Sequence, residues 1–148
     1  MILSFSGIAA AYTLNQTAKR GLSQTESFIA LLRYLRSEIE CFSMPLPRAM
    51  SRCPYELLEG CGCAREVSDL REFLSVCSVY DARAVKLVSR FCDEAGRGYR
   101  DEQLALCDNY ISRLDERRRS LASELPRRKK MNSALCVSGA LAIVILLI

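Results

Sequence analysis

The last eighteen residues of the chain, Met131 to Ile148, read MNSALCVSGALAIVILLI and carry no charge. As a helix rising about 1.5 Å per residue this stretch is about 27 Å long, close to the roughly 30 Å hydrocarbon core of a bilayer. Nine of its residues are Leu, Ile or Val. Together they favour insertion by on the order of 3 to 5 kcal/mol, and Ser133, Ser138 and Gly139 offset only part of that. A buried core helix is the alternative, but such helices rarely lack every polar side chain over a final run like Gly139 to Ile148. The stretch 131–148 is therefore expected to be a transmembrane helix. Arg127, Arg128, Lys129 and Lys130 stand immediately before it. Cations beside a span mark its cytoplasmic side and attract anionic lipid headgroups, at about 1 kcal/mol per residue near the surface.

The other end repeats the pattern more weakly. MILSFSGIAAAYTL has no charge, and the apolar stretch continues to Ala18 before Lys19 and Arg20. A secretory signal peptide carries its basic residues ahead of the apolar run, whereas here they follow it. An interfacial helix is a further option. The expectation is a retained first span over 1–18, a cytoplasmic helical domain over 19–130 and a second span over 131–148. Charge placement agrees: residues 113–130 hold eight Lys/Arg against three acids, so this stretch is +5 in a chain of +4. The remainder is near neutral.

Between the ends the apolar spacing is helical and no stretch alternates long enough for a strand. Ser23-Gln24-Thr25-Glu26 has the form of a capping box, which predicts a helix start there. Phe28, Leu31, Leu32, Leu35, Ile39 and Phe42 follow at three- and four-residue steps. Pro45 and Pro47 must end that helix, and Leu46 to Arg52 suits a short proline-started turn of helix. Residues 54–63 read as a connection. A second helix is expected over about 64–95, with a break near Ser78 to Asp81, on the stripe Val67, Leu70, Leu74, Cys77, Ala84, Val88, Phe91 and Ala95. A third, over about 101–125, carries Leu104, Cys107, Ile111, Leu114, Arg118, Leu121 and Leu125. These alternate by three and four, a heptad seam with one Arg in it. Its cheapest partner is the preceding helix, as an antiparallel hairpin across the Gly96–Arg100 loop; an intermolecular coiled coil is the other option. Pro126 is expected to kink or break the chain before the span. The fold class is all-α: an antiparallel helical bundle or hairpin flanked by N- and C-terminal hydrophobic membrane helices.

Chemistry is sparse. With no His, catalysis by Ser-His-Asp or Cys-His, His-ligated zinc and His proton relays are excluded. There is no phosphate-binding glycine loop and no nucleophile elbow. Eight Cys stand at 41, 53, 61, 63, 77, 92, 107 and 136. In a cytoplasmic domain they are expected as reduced, unliganded thiols. Only Cys61-Gly62-Cys63 resembles a local ligand pair. With Cys53 it supports an alternative reading as a Cys-based zinc module. Arg117–Arg119 supports another, a membrane-anchored nucleic-acid binder. No catalytic residue, cofactor or metal is expected.

The order of motifs resembles a known family. A capped helix ends in LLRYLRSEIECFSMPLPRAM, EAGRGYRDEQLALCDNYISRLDERR follows, and an apolar segment closes the chain. Leu35, Glu38, Ile39, Pro45, Leu46, Pro47 and Ala49 match the first pattern of the stage III sporulation protein AB family; Gly96, Asp101 and Gln103 match its second. The C-terminal tail has one Gly, Gly139, where that family tends to have more. The resemblance implies a non-enzymatic membrane scaffold on the mother-cell side of a sporulation channel complex. Its helical domain would look like the cytoplasmic domain of type II secretion platform proteins and would couple a secretion-type ATPase to the membrane assembly. Implied partners are that ATPase, other membrane proteins of the complex and anionic lipid, with no small-molecule substrate and no nucleic acid.

Overall fold

The computed structural model describes residues 2–147, without the side chains of 2–8 and 11 and of most positions from 132 onward. Among the described residues there are six helices and no strand: α1 (Ile2–Phe42), α2 (Leu46–Ser51), α3 (Tyr55–Gly60), α4 (Leu70–Val76), α5 (Ala82–Glu94) and α6 (Arg100–Leu147). The two long helices dominate. They run antiparallel: Arg100 lies beside Ile39 and Glu40, Arg36 beside Asp108, and residues 14–21 beside 117–128. Helices α2 to α5 pack along this pair.

The interior is apolar and contiguous. Phe28, Leu31, Leu32 and Leu35 of α1 meet Met50, Leu58, Phe73, Val88 and Phe91 from the short helices and Cys107, Tyr110 and Leu114 of α6. Phe28 meets Phe73 edge-on at 6.3 Å between ring centres, and Phe91 meets Tyr110 at 5.7 Å. Each such side chain contributes about 1.5–3 kcal/mol on burial. The exposed ion pairs of Arg36 with Asp108 and Glu40 add little beside this, because solvent screens them. Packing, not surface charge, holds the helices together.

Several expectations need correction. The capping box starts nothing, because α1 already runs through it from Ile2. Thr25 Oγ1 donates back to the Gly21 carbonyl at 2.8 Å and Ser27 Oγ to Ser23 at 3.0 Å, bonds that a continuing helix accommodates. Gln24 and Thr25 are buried, so tertiary packing claims residues that local preference assigns to a cap. Phe42 is 67% exposed, since the chain leaves the helix at once through Ser43, with φ 47°. Residues 55–60 form α3 instead of a connection, and 64–69 are not helical. The break before α5 is present: Asp81 caps it, its carboxylate accepting from the Ala84 amide at 3.1 Å. Pro126 does not break α6. Pro126 and Ala122 are both exposed, where water can reach the carbonyl that the proline leaves unpaired. The main partner of α6 is α1, nearly sixty residues and more away in sequence, with α5 second.

Among the described residues no helix is long and apolar enough to cross a membrane. Half of the side chains of the expected span 1–18, and most of those of 131–148, lie outside the described residues.

Candidate functional site

No catalytic constellation offers itself, so the site is sought where the motif residues meet. Two of their segments converge at one end of the α1–α6 pair. Ile39, Ser43, Met44, Pro45, Leu46 and Pro47 from one, and Gly96, Gly98, Arg100 and Gln103 from the other, line an open groove of about 430 Å³. Hydrogen bonds build its walls. Gln103 is buried; its Oε1 accepts from the Gly96 amide at 3.1 Å and its Nε2 donates to the Arg97 carbonyl. One side chain thus folds the loop back on the first turn of α6. Gly96 sits at φ +80°, a left-handed conformation that a side chain resists. Glu102 accepts from the Tyr99 amide at 2.9 Å.

Arg100 closes the end of α1. Its guanidinium donates to the Ile39 carbonyl at 3.3 Å and the Glu40 carbonyl at 2.7 Å, satisfying acceptors that a helix C-terminus leaves free. Phe42 and Tyr99, 67% and 84% exposed, flank this end. The groove walls are thus tied by hydrogen bonds, and exposed aromatic residues adjoin its lining segments in sequence.

At the opposite end lie the basic residues. Lys19 and Arg20 on α1 and Arg127, Arg128, Lys129 and Lys130 on α6 are all exposed. The antiparallel pairing puts the two clusters at the same end, though they are over a hundred residues apart in sequence. Arg128 bonds Glu124 at 3.3 Å and Arg20 lies over the Tyr80 ring at 5.8 Å. Lys19, Arg127, Lys129 and Lys130 have no ion-pair partner among the described residues.

Just inside this end is a half-buried pair that sequence reading missed. Arg117 grips Asp81 through two bonds, Nε to Oδ2 at 2.9 Å and Nη2 to Oδ1 at 2.8 Å, with both side chains under 15% exposed. The guanidinium holds the Asp81 carboxyl below the usual carboxylate range. Arg118 and Arg119 are both bonded to Asp115 at 2.8 Å. The cationic triplet considered for nucleic acid is therefore engaged internally.

The seam of α6 is turned from its expected axis. Of the seam residues Cys107, Leu114 and Leu121 are buried, while Leu104, Ile111 and Leu125 are half-buried. The deepest line is Gln103, Cys107, Tyr110, Leu114, Arg117 and Leu121, still in heptad steps. Arg118 sits beside the line. Gln103 and Tyr110 escaped notice because a count of apolar residues passes over amides and phenols.

Gln24 is the matching buried amide of α1. It donates to the Cys61 carbonyl at 2.8 Å and to the Ser78 carbonyl, and accepts from the Tyr80 amide at 3.2 Å. Most thiols are inert by burial: desolvation raises Cys53 and Cys107 to about 11 and Cys92 to about 12. Among the described residues no group of three or more Cys, Asp or Glu could hold a metal ion.

No curated protein and no solved structure matches the chain. A family match does exist, to Stage III sporulation protein AB (spore_III_AB), over residues 78–148. It covers α5, the Gly96–Gln103 loop and α6, the elements that carry the clamped loop and the basic cluster. Residues 78–148, just under half of the chain, are thus similar to the stage III sporulation protein AB family.

Proposed function

We propose that this protein is a non-enzymatic platform of a sporulation channel complex, held to the mother-cell membrane at both ends and linking a secretion-type ATPase to the membrane assembly. The family match supports a role in sporulation. The carrying observation for the rest is the antiparallel α1–α6 pair. It brings both chain ends, each with its basic residues, to one end of the bundle and leaves the rigid groove at the other. Apolar segments 1–18 and 131–148 would enter a bilayer side by side. Lys19, Arg20 and Arg127–Lys130 would then meet anionic headgroups. The groove and its exposed rim residues Phe42 and Tyr99 would face the cytoplasm, free to dock the ATPase.

A crosslinking experiment tests both halves. The full chain, carrying a photo-crosslinking amino acid at Tyr99 or Phe42, is expressed in a sporulating host. It is expected to stay with the membranes through an alkaline wash and to crosslink to the secretion-type ATPase. Release into the aqueous fraction would overturn the anchoring; labelling from Lys86 of α5 but from neither rim position would overturn the groove as the docking end.

A further inference from the structure

Cys77, on the expected stripe of the second helix, and Cys63, beside Cys61, are brought together only by the fold. Cys63 and Cys77 are the two residues of an isolated antiparallel bridge. The Ser78 amide donates to the Gly62 carbonyl at 3.0 Å, which makes 63 and 77 a non-hydrogen-bonded cross-strand pair. In such pairs the Cα atoms approach to about 4.5 Å, inside the range that a disulfide bridges. The side chains point at each other, with Sγ to Sγ 2.8 Å. Both strands of the bridge are fixed from the same side, since Gln24 bonds the carbonyls of Cys61 and Ser78. The pair is thus held in register by α1 and not by a mobile loop.

We infer that Cys63 and Cys77 form a redox pair that closes to a disulfide on meeting a small disulfide oxidant of the glutathione class, pinning the segment that carries α4. One protein thiolate attacks a sulfur of the oxidant, forms a mixed disulfide and expels one glutathione thiolate. The second protein sulfur then attacks the protein-bound sulfur of that mixed disulfide and expels the second glutathione. Two protein thiols are oxidised, one glutathione disulfide is reduced to two thiols, and the two protons pass from protein sulfur to glutathione.

Access orders the two steps. Cys77 is half-buried and reachable, whereas Cys63 is 4% exposed and suited to the second, internal step. The hydrogen bond between the two sulfurs lowers the Cys63 thiol and raises that of Cys77, so the negative charge of the open pair rests on Cys63. Cys41 is exposed but stands on α1 away from the bridge, which makes it an internal control. At a strongly reducing cytosolic poise the pair stays open; it reports a shift in that poise.

The test uses the full chain in detergent micelles, equilibrated with glutathione buffers of stepped thiol-to-disulfide ratio. Free thiols are then trapped with an alkylating agent and the peptides mapped by mass spectrometry. A Cys63–Cys77 cross-linked peptide is expected in the oxidising buffers, while Cys41 gains at most a single glutathione. Oxidation is also expected to raise Tm by about 5–10 °C in the native chain, as closing a loop of this length allows, and not in Cys77→Ser. Cys77 is the less buried partner, so that variant is the one suited to fold. The inference is overturned if Cys63 and Cys77 are both alkylated at every ratio, if Cys63 pairs instead with Cys61 or Cys53, or if native mass spectrometry finds zinc holding these thiols.

Discussion

The two ends of the α1–α6 pair are closed by different physics. At the groove end, backbone groups are tied by named side chains: Gln103 to Gly96 and Arg97, Arg100 to the last carbonyls of α1. At the basic end one half-buried pair, Asp81–Arg117, does the fastening, and beyond it Lys19, Arg127, Lys129 and Lys130 are exposed. A terminus fastened by hydrogen bonds keeps a fixed shape that a partner can recognise. A cluster of unpaired cations fixes no shape, but it provides a field that any anionic surface satisfies. The comparison explains how one short helical body can present a specific face and a non-specific one.

The largest way to break this contrast is at the Asp81–Arg117 pair. Arg117→Met leaves the half-buried Asp81 carboxylate without its partner and is expected to cost about 1–3 kcal/mol, measured by denaturant unfolding of the full chain in detergent. The pH dependence sharpens the point. The folded-state pKa of Asp81 lies below its unfolded value near 3.9, so the folded chain binds fewer protons there. The stabilisation is complete above about pH 4 and fades as pH falls through the lowered value. Native protein should lose stability on that acid limb more steeply than Arg117→Met, and equal slopes would remove the pair from its role.

A smaller loss is expected at the other end. Gln103→Leu strands the Gly96 amide and the Arg97 carbonyl, at a cost of about 1–2 kcal/mol. Hydrogen exchange should quicken locally over residues 96–100 with little change at Tyr80 to Ala84. Spread of that effect to the basic end would mean that the two ends are not independent. The smallest effect belongs to the cations. Changing Arg127, Arg128, Lys129 and Lys130 together to Ser should leave unfolding stability within about 0.5–1 kcal/mol, because Arg128–Glu124 is an exposed pair. A larger loss by the same unfolding measurement would show that the cluster holds the fold as well as offering charge.

Much of the helical content was legible. Phe28, Leu31, Leu32, Leu35 and Ile39 fall on the buried face that their spacing implies, and Asp81 marks the start of α5. Pro45 and Pro47 end α1 and open α2 as their fixed backbone requires. What misled were signals whose strength is small beside packing. A capping box is worth about 1 kcal/mol, and burial of the neighbouring α1 face outweighs it many times over. The groove was half legible: its residues stood in the two motifs, but nothing in their order shows that Pro45 and Gly96 lie together.

The sequence by itself determined that this chain is helical, that its charge gathers near Arg127–Lys130, and that no His-based chemistry is open to it. Those properties are local or compositional, so they survive without coordinates. Only the tertiary structure decided that α6 pairs with α1, that Gln24 and Gln103 are buried ties, and that Cys63 faces Cys77. Each of these depends on contacts between residues far apart in the chain. Such contacts form because they bury apolar surface jointly, a property of pairs of helices that neither carries alone.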